Sequence, residues 1–377
     1  VGLAPVYSDR GTFTFSSADA DSLAIAPGLA TSASNTFLSV SGGAVLDMVD
    51  LPLTSALNVS ITAFTSDGTG PSLVAWTIDV DSQALNLTFD GTIDTAAINR
   101  TAFTLRNQSL ASGSQFVDLT NITFVSANTL QTFVSVVFTS TPDANLIKER
   151  TSLCTAQSNC FLAFTAPIVR DTAGNPVSLR SPAALQVSTF SADFTRPALV
   201  EFSSFDGNLG DVTLSFTESI NVSSFNFTVV ELHSFLDSTN PQTVVYRLQS
   251  TPTLLSPNNA PNVTFRLAPS DFNAIKLSNS VCLSAVTCWV RFSSTFVSDL
   301  VGLPILPTLT ATPATVDFAS ASAQLYTADS TGPRLLNFGL NMNLGVLTLT
   351  FDEPVQYNTL LPTSNINILA GSGSNIS

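Results

Sequence analysis

Histidine occurs once, at position 233, and methionine and tryptophan only twice each in 377 residues. A Ser/His/Asp or Cys/His catalytic device would have to be built around His233 alone. That residue follows an apolar stretch, Val229–Val230–Glu231–Leu232, where a packing or surface role is the simpler reading. Charge is just as scarce. Asp, Glu, Lys and Arg make up 11% of the chain, against about a quarter in ordinary soluble domains. The surface must therefore be wetted by Ser, Thr and Asn, or by something attached to them. Acidic groups outnumber basic ones by 27 to 13, a net charge of −14. With no basic patch, nucleic acid is excluded as a partner, and so is an anionic membrane surface. Mean hydropathy is +0.33, yet no apolar run approaches the ~18 residues of a membrane span. No membrane insertion is expected within this segment. There is no initiator Met and no signal peptide, which reads as a mature chain or an internal segment.

What the chain does have is repetition. A stretch beginning Pro-x-Leu starts at Pro71, at Pro197 and at Pro333, a spacing that makes the repeat one domain long. In each copy apolar residues alternate with Asn, Thr and Ser: Leu85, Leu87, Phe89; Val212, Leu214, Phe216; Leu347, Leu349, Phe351. A period of two is a half-buried strand. A polar turn precedes it each time, at 79–83, 206–210 and 341–345, so strand, turn, strand predicts a hairpin. The 27 Phe against 4 Tyr suit β cores.

A second motif also occurs three times, over 15–53, 138–177 and 265–305. Its landmarks are Asp47, Asp171 and Asp299, then Pro52, Pro176 and Pro304. A short helical turn is expected at 145–148 and 273–276, and a turn requiring positive φ at Gly174 and Gly302. The two motifs divide the chain. Residues 1–66 are the C-terminal half of a repeat, 67–192 and 193–328 are whole repeats, and 329–377 are an N-terminal half. The Asp-x-Thr-x-Pro junctions carry no long flexible linker, so neighbours are expected to be stiffly coupled. The two incomplete ends are complementary. Either the sequence is a window of a longer array, or one chain completes its half-repeat with the half-repeat of the next.

The four cysteines form two pairs of equal spacing, Cys154 with Cys160 and Cys282 with Cys288, at the same place in consecutive repeats. Two local disulfides and an oxidising compartment are the natural reading. The N-terminal copy has Ala30 and Thr36 at these places. Two Cys per repeat without a nearby His do not make a metal centre.

Nine Asn-x-Ser/Thr sequons lie at Asn58, Asn86, Asn99, Asn107, Asn121, Asn221, Asn226, Asn262 and Asn375. In seven the middle residue is apolar: Val59, Leu87, Ile122, Val222, Phe227, Val263 and Ile376. On a strand that residue points into the core, which aims Asn and Ser/Thr outward. Covalent N-glycans at most of these sites would answer the shortage of charge. Oxygen-rich turns (Asp79 and Asp81, Asp206 and Asn208, Asn341 and Asn343) and junction residues Asp67, Asp193 and Asp329 offer structural calcium as an alternative use. Turn chemistry favours the same residues without an ion, and no EF-hand loop or other metal site is expected. The carboxylate pairs Asp206/Glu218 and Asp352/Glu353 have the composition of a glycosidase pair, but nothing in the sequence sets two carboxylates across a cleft. No cofactor and no catalysis are expected.

The strand end Phe351–Asp352–Glu353–Pro354–Val355 and the turn Asp171–Thr172–Ala173–Gly174–Asn175–Pro176–Val177 resemble bacterial-type Ig-like repeat domains. The copies at Asp90–Gly91 and at Gly302–Leu303 depart from that pattern. The inserted helical turn and Cys-x5-Cys segment look like the long Ig-like repeats of eukaryotic surface proteins, similar to mastigoneme-type filament subunits. The resemblance implies an all-β chain of tandem Ig-like sandwiches, extracellular, glycosylated and self-associating into filaments with helical assembly. The stalk of a surface adhesin or receptor ectodomain is the first alternative, and a secreted carbohydrate-binding or glycan-active protein the second.

Overall fold

The computed structural model describes residues 9–26, 28–119, 122–125, 130–138, 145, 147–150, 152–164, 166–178, 180–236, 241–308, 323–357 and 366–369. The sequons at Asn121 and Asn375 lie outside these residues. The chain forms two compact units, Val1–Thr195 and Arg196–Ser377.

The first unit begins with helix α1 (Ser17–Ile25) and a ribbon of β1 (Phe37–Val40) and β2 (Ala56–Ser60). A two-sheet sandwich follows. Its strands are β3 (Leu73–Asp79), β4 (Ala84–Asp94), β5 (Phe103–Arg106), β6 (Phe116–Leu119), β7 (Ile122–Val125), β8 (Leu130–Phe138), β9 (Phe161–Phe164), β10 (Arg180–Gln186) and β11 (Thr189–Ser191). One sheet has the order β11-β3-β4-β8-β7, the other β10-β9-β5-β6. With β3 to β10 lettered along the chain as A, B, C, C′, D, E, F and G, these are an A-B-E-D sheet extended by β11 beside A, and a G-F-C-C′ sheet, the immunoglobulin arrangement. Alternation drives it. In β4, Leu85, Leu87 and Phe89 are buried and the residues between them are not. The inward side chains of both sheets, among them Leu73, Trp76, Phe103, Leu105, Leu162 and Phe164, form one core.

The second unit repeats the plan with β12 (Leu199–Asp206), β13 (Asp211–Ile220), β14 (Val230–His233), β15 (Val245–Arg247), β16 (Thr253–Leu254), β17 (Ala260–Arg266), helix α2 (Pro269–Ser278), β18 (Trp289–Phe292) and β19 (Ala323–Thr327). The sheets run β16-β17-β13-β12-β19 and β15-β14-β18 around a Phe-rich core. A final hairpin pairs β20 (Leu335–Asn341) with β21 (Val346–Phe351).

The expected hairpins all form, and each has a register irregularity at its first strand's start: Leu73/Ala75, Leu199/Glu201 and Leu335/Asn337. There the residue after the last Phe paired to the first strand ties down the incoming chain. Asp90 Oδ1 accepts from the Ser72 amide at 2.7 Å, Thr217 Oγ1 from Ala198 at 3.0 Å, and Asp352 Oδ1 from Arg334 at 2.7 Å. The helical segment is longer than the single turn expected at 273–276. Pro269 at the first helical position, Asp271 in the first turn and Asn279 in the left-handed conformation (φ 48°) extend it to ten residues.

The three copies of the downstream motif share a backbone. Isolated bridges join Leu46 to Pro52, Arg170 to Pro176 and Ser298 to Pro304. Ala30, Cys154 and Cys282 all have positive φ (54°, 49°, 54°), so the copy without a disulfide keeps the disulfide's turn. Gly174 and Gly302 sit at φ 89° and 90°.

Candidate functional site: the joint between repeats

Each joint begins with an Asp-x-Thr turn. The Thr69 amide donates to Asp67 Oδ1 (3.0 Å), Thr195 to Asp193 (3.3 Å) and Thr331 to Asp329 (3.1 Å). These are Asx turns, built by the linker's own residues. A hairpin turn of the preceding repeat then grips the linker. In the first unit Asp81 Oδ1 accepts from the amides of Phe194 (2.9 Å) and Thr195 (2.7 Å). The Phe194 amide first, then Thr195, hold the Asp81 carboxyl down at about 2. In the second unit the matching Asn208 accepts from the Ser330 amide (2.8 Å) and donates to the Ala328 carbonyl (3.3 Å). Gly207 lies so close to this linker that a Cβ would stand 2.7 Å from the Asp329 nitrogen.

A lysine pairs with the aspartate of each of the last two linkers. Lys148 reaches Asp193 at 2.6 Å with both side chains almost fully buried. Its counterpart Lys276, in the last turn of α2, reaches Asp329 at 2.8 Å and also bonds Glu353, just beyond β21. Its ammonium sits 4.6 Å over the Phe272 ring. Burial pulls the Lys276 pKa down, but hydrogen bonds to Asp329 and Glu353 outweigh it and raise it overall. Burial likewise raises Asp329, while Lys276 and the Thr331 amide bring it below the usual range. Both groups are therefore charged near neutral pH, and neither is poised to trade a proton. A cleft of about 470 Å³ beside them is walled by Phe272, Lys276, Tyr326, Asp329 and Glu353, among others. Chemically, each set of contacts holds a linker segment against its own unit.

The residues weighed for other chemistry take structural posts. His233 is buried, 3.1 Å from Glu231, which also binds Arg247. Burial pushes its pKa down, partly offset by Glu231. Asp352 caps the start of β20, and Asp79 and Asp206 each accept two amides of their own turn. Trp76 is fully buried, its indole donating to the Leu185 carbonyl at 2.8 Å. Disulfides join Cys154 to Cys160 and Cys282 to Cys288.

Sequence reasoning overlooked Asp271. It is a buried carboxylate that ties α2 to the β15–β16 loop, accepting from Tyr246 Oη (2.7 Å) and the amides of Gln249 and Ser250. Burial, then this hydrogen bond, raises the Tyr246 pKa to about 12. The only available signal was its place beside Pro269 at a helix start.

The described sequons differ in setting. Asn262 is exposed and Val263 beside it is buried, as the strand argument requires. Asn86 also lies on a strand with Leu87 inward, but its amide donates to Thr77 Oγ1 (3.3 Å) and its oxygen accepts from Ser135 (2.7 Å). Asn221 and Asn226 are not on strands. They cap 3-10 turns, and in both the oxygen accepts an amide two residues on. Asn99 makes the same turn with Thr101. Asn107 accepts from the Gln115 amide at 2.9 Å. At Asn58, which has φ 54°, the middle residue Val59 is exposed, because its half-repeat has no opposing sheet among the described residues.

No protein-family profile matches the chain, and no curated protein does. Among solved structures, it is similar to the N-terminal part of the bacterial S-layer protein SbsC, with TM-score 0.22 and 13% identity over 53% of this chain. It spans 44% of that chain. The ectodomain of the teleost fish polymeric Ig receptor gives TM-score 0.17 and 8% identity, covering 69% of this chain and 100% of the other. The chicken CNTN1 FN1–FN3 domains give 0.18 and 9%, covering 70% and 73%. Likenesses this faint carry no argument about function. The Ig-like assignment rests on strand order. Among the described residues no helix is long and apolar enough to cross a membrane.

Proposed function

We propose that this chain is a structural subunit of an extracellular, N-glycosylated filament that assembles head to tail through its incomplete half-repeats. One observation carries the reading. Positions that are core in the whole repeats are bare in the two halves. Phe338 is 59% exposed, whereas its counterparts Trp76 and Phe202 are at 0%. Leu38 in β1 is 64% exposed, whereas its counterparts Leu162 and Val290 are at 0%. Sheet faces of this kind are sites of association, and a face supplied by another chain's strands is a recurrent way to cover them. A head-to-tail contact that does not close on itself gives an open filament. The disulfides support an oxidising, extracellular setting, and the sequons supply a hydrated coat to a chain short of charge. The same features suit the stalk of a surface adhesin or receptor ectodomain, which is the second reading.

Electron microscopy and sedimentation of the 377-residue chain over a range of concentrations test it. Filaments with one chain per axial repeat are expected. Monomeric short rods at every concentration would refute assembly and leave the stalk.

A further inference from the structure

The whole repeats contain a template for how a half-repeat would be filled. In both, the last strand returns to lie parallel beside the first strand of its own repeat. Thr189, Phe190 and Ser191 face Thr77, Ile78 and Asp79; Leu325, Tyr326 and Thr327 face Ser204, Phe205 and Asp206. In each case the strand ends two residues before the linker aspartate, Asp193 or Asp329, and its partner ends at the hairpin-turn residue, Asp79 or Asp206. An aromatic occupies the middle position, and in the second unit Tyr326 stacks on Phe205 with ring centroids 6.0 Å apart.

Both halves of this pairing exist elsewhere in the chain without each other. Counting back from Asp67, the returning segment is Ala63–Phe64–Thr65. Counting back from the turn residue Asn341, the receiving segment is Gly339–Leu340–Asn341, on the edge of the β20–β21 ribbon. Leu340 is exposed where its counterparts Ile78 and Phe205 are buried. We propose that β20 of one copy takes residues 63–65 of a second copy as a parallel strand, with Thr65 opposite Asn341, Phe64 opposite Leu340 and Ala63 opposite Gly339. This rests on the head-to-tail reading and fixes its register.

Two further contacts follow from the same template. In the first unit the Ser178 amide donates to the Pro71 carbonyl (3.1 Å), and in the second Leu306 donates to Pro197 (2.8 Å). The corresponding pair is the Thr54 amide of the incoming copy and Pro333. The turn that delivers it is already shaped: Asp47 Oδ1 accepts from the amides of Val49 (2.8 Å) and Leu51 (2.9 Å), as Asp299 does from Val301 (3.0 Å) and Leu303 (2.7 Å). In the second unit the Asp299 turn bridges to Ile220, two residues beyond Glu218. The incoming Asp47 turn would come to the same place beside Glu353. Under the head-to-tail reading the occupant is a second copy, whose residues 63–65 match β20 in register. The apolar face of the half-repeat asks for strands of this same fold, since every counterpart in the chain is covered by them.

The test uses the full chain, in which no cysteine is free among the described residues. Thr65→Cys and Asn341→Cys are made as separate variants, mixed, and oxidised mildly. Thr65→Cys mixed with Thr348→Cys, on β21, the other strand of the ribbon, is the control. A disulfide-linked heterodimer is expected for the first mixture and lost in the second. Filaments that persist while neither mixture, or both equally, become linked would overturn this register and leave head-to-tail assembly standing. Chains that stay monomeric by sedimentation, as they would if a continuation of the same chain filled the face, would overturn both.

Discussion

Phe338→Ser separates assembly from folding. A buried Phe removes about 150–250 Å² from water. With 59% of Phe338 exposed, docking would bury roughly 120 Å² more, worth about 3 kcal/mol at ~25 cal/mol per Å². That corresponds to about a hundredfold in the association constant. Within the monomer the same substitution removes a side chain that is mostly in water, so thermal stability should change by no more than about 0.5 kcal/mol. Phe202→Ser, at the equivalent buried position of the second unit, is the counter-experiment. Loss of a fully packed Phe costs about 3–5 kcal/mol, a fall in Tm on the order of 10 °C for a unit of this size. Sedimentation equilibrium reads the first effect and scanning calorimetry the second. If Phe338→Ser lowers Tm as much as Phe202→Ser and leaves association unchanged, the residue is core within its own chain, and the exposed-face argument fails.

Acid should free Phe194 and Thr195 from Asp81. Its folded pKa of about 2 lies below its ordinary 3.8, so its contribution is in place above 3.8 and fades as pH falls toward 2. Asp81→Asn keeps the acceptor, as Asn208 does in the next repeat, and should flatten the Tm-against-pH curve in that window; an unchanged acid limb would show that Asp81 does not couple to stability. Peptide mapping after enzymatic deglycosylation should find Asn262 occupied more fully than Asn86, whose amide is engaged on both sides. Complete occupancy at Asn86 would mean that the Thr77 and Ser135 bonds do not hold in the native protein. Chelation with EDTA should leave Tm unmoved, because the oxygens of Asp79, Asp206 and Asn341 already accept amides of their own turns. A calcium-dependent rise in Tm that Asp206→Ala abolishes would instead make the Asp206 turn an ion site.

Some of this protein could be read without coordinates, because it is written in local periodicity. Alternation at Leu85, Leu87 and Phe89 demanded a strand with one wet face, and the threefold recurrence of strand, turn and strand fixed the hairpins. The positive φ at Gly174 and Gly302 followed from turn chemistry, which depends on neighbours in sequence. The downstream motif was legible for the same reason, so Ala30 could be matched to Cys154 and Cys282 before its backbone was known. Tertiary structure decided what depends on residues far apart. Nothing local reveals that Lys276 lies between Asp329 and Glu353, both in the next repeat, or that Asp81 holds the amides of Phe194 and Thr195. The role of Asp271 was not legible, because its partners Tyr246, Gln249 and Ser250 precede β17 in the chain and it follows. The pairing of β11 with β3 and of β19 with β12 was equally invisible. A parallel strand returning after a whole domain leaves no pattern in sequence, since its register is set by the closing of the sandwich.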